Sequence, residues 1–237
     1  MVPQLREDPM ETPKETRIVE QILDAIADQR LPAGTRLGEQ ALSDHFSCNR
    51  TQVRRALAAL TAYQVVEHLP HRGASVATPT AEDARDVFQA RRAVETAICR
   101  NALRRATAED LAALRAHLAE EDRAKDDGDR SEAIRLSRGF HNLLARIAGN
   151  AVLARYVQEL TMRSSLIIGL YGTQARTLCA KDEHLSLVEA IAARDEAGAL
   201  RLMDAHLRHI EAGISFSESR APAGTLSSML GGGSPRP

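Results

Sequence analysis

The first part of the chain places apolar side chains at helical spacing and so predicts three amphipathic helices. The first ends at a break that begins with Pro32, and the second runs from about Glu39 to Phe46. A short turn follows, after which Asn49 can cap the third helix, with Gln52 completing a capping box. The apolar faces of the three helices consist of Ile18, Val19, Ile22, Leu23 and Ile26, then Leu42 and Phe46, then Val53, Leu57 and Leu60.

Two short apolar segments, residues 65–69 and 74–76, flank a turn centred on Pro70–Gly73 and predict a two-stranded wing. After a break around residues 77–80 only helical periodicity remains, so we place a domain boundary there. Capping-box patterns begin two of the later helices, at Thr80–Asp83 and Thr107–Asp110. The other predicted helices run from near Asp129 to Gly149 and over residues 151–171, 177–194 and 196–213.

The fold class predicted from this pattern is mainly α, with an N-terminal winged helix-turn-helix, a small β-hairpin wing, and a C-terminal antiparallel all-α bundle. Both ends carry prolines, glycines and charges without apolar periodicity and are expected to be disordered. The predicted segments are an arm (1–16), the winged helix-turn-helix (17–78), a linker (79–82), the helical effector-binding and dimerisation domain (83–214) and a tail (215–237).

Composition narrows the classes of function that this fold can serve. The 31 Lys and Arg residues against 32 Asp and Glu give a net charge of -1, so any affinity for nucleic acid has to come from a local patch. The 3 cysteines lie far apart, which argues against a disulfide framework or a paired-cysteine metal site and fits a reducing cytoplasm. No apolar run approaches the ~20 residues that span a membrane, so we expect no membrane partner.

The third helix concentrates groups that can read DNA. Arg50, Thr51, Gln52, Arg54 and Arg55 lie on the side opposite its apolar stripe and close to its N-terminus. A helix fits the major groove, Arg and Gln can pair with base edges, and the partly positive helix N-terminus favours phosphate. A trio of arginines alone is often only a solvated helix face, but the preceding helix, the turn and the wing favour DNA binding.

Over about 60 residues, this N-terminal segment resembles the winged-helix signature of GntR-family bacterial regulators. The segments that carry the resemblance are 31–37, Glu39, Leu42, 49–57 and 72–76. The resemblance implies that Asn49 to Gln52 and Arg54 contact an operator and that His71 and Arg72 on the wing reach the minor groove. Gly38 stands where the family more often has Ser, and Asn49 stands where the family more often has Ser or Thr. The full set of expected DNA contacts is Arg36, Gln40, Asn49, Arg50, Thr51, Gln52, Arg54, Arg55, His71, Arg72 and Gly73.

Three of the 8 histidines share a helical stripe with apolar neighbours in the second domain. His141 lies with Leu144, His184 with Leu187 and Val188, and His206 with Met203 and Ile210. One inward histidine is usually a hydrogen-bonded core residue. Three of them on three helices of one bundle raise the prospect of a metal site, because imidazole is the commonest side-chain metal ligand.

The second domain resembles the FCD effector domain of the FadR-type branch of the GntR family, essentially over its whole length. The matching segments are 91–95, 140–141, 149–150, 183–185, 190–195 and 205–207. In metal-binding members an Asp four residues before the first of three histidines completes the site. His141, His184 and His206 match those histidines, but Ser137 stands at the Asp position, and a neutral hydroxyl is a poorer ligand than a carboxylate.

The sequence leaves three arrangements open: a three-histidine site completed by water or effector, a weakened site filled when the effector supplies a carboxylate, and a metal-free pocket. Zn or Ni suits imidazole better than Mg or Ca does. A small organic acid is the expected effector, with Arg91, Arg92, Ser137 and Arg163 as candidate contacts.

We expect a homodimeric bacterial repressor that binds an inverted-repeat operator in double-stranded DNA and responds to this acid. The alternatives are a regulator that senses the metal itself and a helical zinc hydrolase. The sequence pattern shows no inward carboxylate at a general-base spacing, which disfavours the hydrolase.

Overall fold

A computed structural model describes residues 14–69, 73–173, 182–216 and 224–231. Its fold is mainly α, as predicted, with one two-stranded antiparallel sheet. The helices are α1 (Lys14–Ala27), α2 (Glu39–His45), α3 (Arg50–Ala62), α4 (Ala81–Arg105), α5 (Ala108–Asp126), α6 (Arg130–Ile147), α7 (Ala151–Tyr171), α8 (Glu183–Ala192), α9 (Glu196–Ala212) and α10 (Leu226–Leu230), and the strands are β1 (Val66–Leu69) and β2 (Gly73–Val76).

The N-terminal domain is built on the packing of α1 against α3. Ile18, Ile22 and Ile26 of α1 are buried in one core with Val53 and Leu57 of α3, which are positions that the apolar stripes predicted. The helical spacing places each set on one face, and removal of these faces from water drives their association. β1 and β2 then pair with Val66 opposite Val76 and Leu69 opposite Gly73, forming the wing.

Helices α4 to α9 form the second domain. Helix α4 packs against α6, α7 and α9, while α5 contacts α6 and α8. The two boxes predicted at Thr80 and Thr107 are both present, each with the threonine accepting from a backbone N–H and the aspartate three residues later returning the bond. Phe88 and Phe140 are fully buried at the centre of this core. No described helix is long and apolar enough to cross a membrane.

The predicted boundaries differ from the structure at both ends and at the linker. Helix α1 begins at Lys14, within the segment expected to be a disordered arm, and α4 begins at Ala81, within the expected linker. Residues 177–181 of one predicted helix lie outside the described residues, and α8 begins only at Glu183.

The expectation of a wholly disordered tail is wrong for residues 226–230, which form α10 against α1 and α2. Met229 and Leu230 are buried there in the core of the N-terminal domain. This helix has only five residues. Its sequence is too short to show a helical period, and it is held by contacts with a distant part of the chain.

Candidate functional site

The turn between α2 and α3 positions the third helix through its first residues. Ser47 adopts a positive φ of 48° in this turn. Asn49 then caps α3: its side chain accepts from the backbone N–H of Gln52 at 2.9 Å, and the Gln52 side chain accepts from the Asn49 N–H at 3.2 Å. The predicted capping box is therefore present, and it occupies two side chains that were also expected to contact DNA.

The remaining candidate contacts on α3 are exposed. Arg50, Thr51, Arg54 and Arg55 all face solvent, and the side chain of Arg54 is 68% exposed. Two of the arginines are held from α2: Gln40 accepts from Nε and Nη2 of Arg50, and Glu39 accepts from Nε of Arg54. The face thus presents cationic groups to solvent at the start of a helix, as major-groove reading requires.

The other expected DNA contacts lie at the edge of this face or outside the described residues. Arg36 is exposed and its backbone pairs with that of Ser75 in β2. Gly73 is exposed and opens β2 with a φ of 75°, a conformation that suits glycine. His71 and Arg72 lie outside the described residues, so their predicted contact with the minor groove remains a prediction.

In the second domain the three predicted histidines come together. His141 on α6, His184 on α8 and His206 on α9 are each 2% exposed. The Nε2 atom of His206 lies 3.1 Å from Nε2 of His184 and 3.3 Å from Nε2 of His141. Phe140 stacks on the His184 ring, with centroids 4.2 Å apart. We call these three residues the histidine centre.

Each histidine of the centre is held on its other nitrogen by a carboxylate. The Nδ1 atom of His141 lies 2.5 Å from Glu95, that of His184 lies 3.0 Å from Glu121, and that of His206 lies 2.9 Å from Glu183. Because a carboxylate accepts, each Nδ1 carries the proton, and the three Nε2 lone pairs converge on one point.

The sequence pattern was read as showing no inward carboxylate at a general-base spacing, and it did not identify these three carboxylates as partners of the histidines. Glu95 and Glu121 are almost fully buried. A signal was available, because each continues an apolar stripe at helical spacing: Glu95 follows Phe88 and precedes Ile98 on α4, and Glu121 follows Leu118 on α5. These two carboxylates and Glu183 face Nδ1 atoms, which makes them orienting groups for the rings.

The charges around the centre shift the pKa values of its members. Burial lowers the pKa of His141 to about 3, an effect that Glu95 opposes and Arg91 adds to. Burial alone would raise the pKa of Glu121, but His184 and Lys125 outweigh it and lower that pKa to about 2. Burial also acts to raise the pKa of Glu95, but Arg91 and His141 outweigh it, so the pKa of Glu95 is lowered. A neutral imidazole beside ionised carboxylates is the protonation state that a metal ligand needs.

The candidate effector contacts fall into two groups. Arg91 and Ser137 line a cavity of about 20 Å³ beside His141, between α6 and α7. Arg91 is buried, donates from Nε to Glu95 at 2.7 Å and from Nη1 to Ser164 at 3.2 Å, and its buried Nη2 has no hydrogen-bond partner among the described residues.

Arg92 and Arg163 do not line this cavity. Arg92 forms an ion pair with Glu211 at 2.5 Å, and Arg163 lines a separate cavity between the wing and α7. Their contact with an effector remains a prediction. Two further histidines of this domain also have partners: His117 is half-buried with Nε2 beside the Leu136 carbonyl, and Nδ1 of His209 lies 2.6 Å from Glu183.

Two family models match this chain. The model described as bacterial regulatory proteins, gntR family, matches residues 14–76, and the FCD domain model matches residues 86–209, which is more than half of the sequence. The chain belongs to the GntR family and carries an FCD domain. Each matched segment coincides with one of the two domains described above.

Curated relatives of this GntR-family protein are transcriptional regulators. It is 27% identical over 208 residues to the HTH-type transcriptional regulator LutR of Bacillus subtilis (strain 168), covering 78% of this chain and 94% of LutR. It is 27% identical over 177 residues to the Nta operon transcriptional regulator of Aminobacter aminovorans, covering 74% and 82% of the two chains. The protein is therefore a DNA-binding transcriptional regulator of the GntR/FCD type and not an enzyme, which removes the hydrolase alternative.

Solved structures share the fold. A putative GntR transcriptional regulator from Rhodococcus sp. RHA1 has a TM-score of 0.70 at 25% identity and covers 85% of this chain and 97% of its own. The E. coli McbR/YncC structure has a TM-score of 0.71 at 18% identity, with 84% and 95% covered, which supports the fold alone.

The donor set of this FCD domain fits a divalent transition metal. Zinc takes nitrogen ligands at about 2.0–2.1 Å in tetrahedral geometry, which places the nitrogens roughly 3.3 Å apart. The two Nε2 separations of 3.1 and 3.3 Å are close to that value. Carboxylates on the opposite ring nitrogens are the usual partners of metal-binding histidines. Ser137 supplies no charge, so a bound ion would keep at least one position open for another ligand.

Proposed function

We propose that this regulator is a repressor whose affinity for operator DNA is changed by a small carboxylate bound at a divalent metal ion in the histidine centre. The observation that carries the proposal is the convergence of three Nε2 atoms while a carboxylate holds each Nδ1. Three lone pairs facing one another repel, and a cation between them removes that repulsion. Zn²⁺ or Ni²⁺ matches the nitrogen ligands best.

Two features support an anionic effector. Arg91 carries a buried Nη2 that has no hydrogen-bond partner in the part of the chain that the structure describes, and a buried donor of this kind is costly until an acceptor meets it. Ser137 stands where metal-binding relatives have a carboxylate, so an effector carboxylate can take that place beside the ion. An Arg and a metal ion together recognise a carboxylate by charge and by hydrogen bonding.

The size of the cavity supports a conformational response. Its volume of about 20 Å³ is enough for a water molecule or an ion but not for an organic acid. Entry of an effector therefore has to displace helices or side chains that enclose the cavity, most of which belong to α6 and α7. A ligand that binds the opened arrangement better than the closed one moves the population toward it, by its difference in affinity.

The same small cavity favours a second candidate, a regulator that senses the metal itself. An ion held by the three Nε2 atoms does not require space for an organic acid, and the three rings and their carboxylates already have the orientation that it needs. In this case the metal changes operator affinity with no organic acid present.

At the other end of the molecule, the exposed face of α3 enters the major groove of the operator. Two copies of the chain, associated through the helical domain, read the two halves of an inverted repeat. Contacts from Arg50 and Arg54 to base edges give specificity, and the remaining cationic groups meet phosphates.

Two measurements test the proposal. Elemental analysis of purified protein should find a transition metal in the wild type and none in His184→Ala, with His68→Ala, an exposed histidine of the wing, as the control. Equal metal content in all three proteins would remove the histidine centre from the proposal. Titration of the protein–operator complex with Zn²⁺ or Ni²⁺ alone, then with a panel of mono-, di- and tricarboxylic acids, separates the two candidates: release by metal alone favours the sensor.

A further inference from the structure

The two domains meet at the side chain of Arg130, the first residue of α6. This buried guanidinium donates from Nε to the carbonyl of Ala27 at 2.8 Å, and from Nη2 to the carbonyls of Ile168 and Gly172 at 3.0 and 3.2 Å. Ala27 is the last residue of α1, whereas Ile168 and Gly172 close α7. One side chain thus ties the ends of two helices from different domains to the start of a third.

The chemistry of these contacts explains the choice of arginine. The C-terminus of a helix carries partial negative charge, and its last carbonyls are open to further donors. The Ile168 carbonyl already accepts from the Gly172 N–H at 2.9 Å, and Arg130 supplies a second donor to it. A planar guanidinium has donors spaced widely enough to serve three carbonyls at once, which an ammonium group does less well.

Stability alone does not account for the arrangement. Arg130 places a positive charge at the N-terminus of its own helix, where the dipole disfavours it. Its Nη1 is buried with no hydrogen-bond partner among the described residues. Burial lowers the pKa of Arg130, an effect that Asp28 opposes. A costly buried contact of this kind at a domain junction invites a functional explanation.

Two of the helices that Arg130 joins, α6 and α7, supply most of the lining of the cavity beside the histidine centre. Ile168 lines this cavity with its side chain while its carbonyl accepts from Arg130. Ala133, Ile134 and Ser137, one to two turns beyond Arg130 on α6, line the same cavity. Any separation of α6 from α7 on filling the cavity therefore has to change the geometry of the Arg130 hydrogen bonds.

On the N-terminal side of this junction, α1 packs against the recognition helix α3. The backbone of α1 lies so close to α7 that a Cβ added at Gly169 would come within 3.0 Å of the Ile26 carbonyl oxygen. Gln29, just after α1, also donates to the Gly172 carbonyl, at 3.2 Å. A shift of the end of α7 is thus passed to α1 by direct contact as well as by hydrogen bonds.

We propose that Arg130 is the positioning residue through which occupancy of the histidine centre changes the placement of α1, and with it the recognition helix α3. This inference rests on the proposed function for the ligand, but the contact network is independent of which ligand binds. Coupling is a free energy shared by the two sites, so its loss has to appear as a changed effect of one ligand on the affinity for the other.

The test measures that coupling in Arg130→Met and Arg130→Lys, with Arg146→Met as the matched control. Arg146 lies on the same helix but is exposed, near its other end. Operator affinity is measured on DNA selected from a random-sequence library by the wild type, without and with saturating Zn²⁺. Circular dichroism and elemental analysis establish that each variant folds and binds zinc.

In the wild type and in Arg146→Met, zinc should change the operator Kd by about fivefold or more, the lower end of common allosteric effects. In Arg130→Met, zinc should change the operator Kd by no more than about twofold, although the zinc content is unchanged. Arg130→Lys should show an intermediate effect of zinc on Kd. Hydrogen exchange of the amides of residues 25–31 should respond to zinc in the wild type and not in Arg130→Met. An undiminished effect of zinc on Kd in Arg130→Met overturns the proposal.

A wild type that takes up no zinc would refute the metal part of the proposed function and leave Arg130 to be decided by a double-mutant cycle. Ser165→Leu fills the cavity from α7 without any metal. Non-additive effects of Ser165→Leu and Arg130→Met on operator affinity support the link, whereas additive or absent effects overturn it.

Discussion

Arg54 donates its Nε–H to the carboxylate of Glu39, at 2.9 Å from each oxygen. This bond joins the two helices of the helix-turn-helix across their exposed side. It engages only the Nε edge of the guanidinium, and no other hydrogen bond to Arg54 occurs among the described residues. Under the proposed function, the two Nη groups can therefore meet the N7 and O6 atoms of a guanine end-on. Glu39 would then set the direction in which Arg54 approaches the groove.

The first prediction concerns Arg54 itself. Arg54→Ala should reduce specific operator binding by about 1–3 kcal/mol, because one bidentate base contact is lost, and should leave the fold intact. A gel-shift titration measures this effect. Arg100→Ala is the matched control, since Arg100 is a similarly exposed arginine paired with Glu196, far from α3. Unchanged affinity in Arg54→Ala would contradict the placement of α3 in the groove.

The second prediction separates orientation from charge at Glu39. Glu39→Ala removes a negative charge near DNA, so its affinity for non-specific DNA should stay equal or rise. Its preference for the guanine read by Arg54 should nevertheless fall, because the guanidinium loses its support. Binding to the selected operator and to a variant with that base pair changed gives the specificity ratio. A ratio equal to that of the wild type would show that Glu39 does not orient Arg54.

Local signals in the sequence were enough to predict most of the helices and their caps. The capping boxes at Asn49, Thr80 and Thr107 are present as predicted, because each depends only on residues three positions apart. The winged helix and the three inward histidines were predicted for the same reason, since a helical stripe is visible in a single segment.

Features that depend on contacts between distant segments were missed. Glu95, Glu121 and Glu183 lie on three different helices, and only the packed bundle brings them to the histidines. Arg130 carries no local signal of its role, because its three carbonyl partners come from the ends of α1 and α7. The helix at 226–230 is stabilised by burial against the N-terminal domain. The pattern of a short segment cannot show such a contact with a distant part of the chain.

The third prediction tests the carboxylates that hold the rings. Glu121→Gln keeps the shape of the side chain but removes the charge that orients His184, so metal affinity should fall by about 10–100-fold. Competition with a chromophoric chelator measures the affinity. Glu189→Gln, on an exposed glutamate that pairs with Arg115, should leave it unchanged. Equal losses in both variants would mean that the effect is one of general charge rather than of ring orientation.

The fourth prediction concerns Ser137, which stands at the position where the family resemblance implies an Asp ligand. Ser137→Asp adds a carboxylate to the cavity wall and should tighten metal binding, while weakening the response of the operator complex to an added organic acid. Ser137→Asn, which has nearly the same shape without the charge, should do neither. Isothermal titration with Zn²⁺ and operator titration with the acid measure the two effects. Tighter metal binding in both variants would trace the change to shape instead of charge.

The fifth prediction concerns the contact between the C-terminal end of the described chain and the N-terminal domain. Leu230 is 5% exposed against α1 and α2, and Arg30 donates to the Met229 carbonyl at 2.6 Å. Leu230→Ala should therefore destabilise the N-terminal domain by about 1–3 kcal/mol, the range for losing most of a buried leucine side chain. Ser227→Ala, which removes only an exposed contact with His45, should cost at most about 0.5 kcal/mol. Urea unfolding followed by amide exchange in α1 separates this domain from the helical bundle. Equal protection of α1 in Leu230→Ala and the wild type would mean that α10 contributes nothing to the stability of the DNA-binding domain.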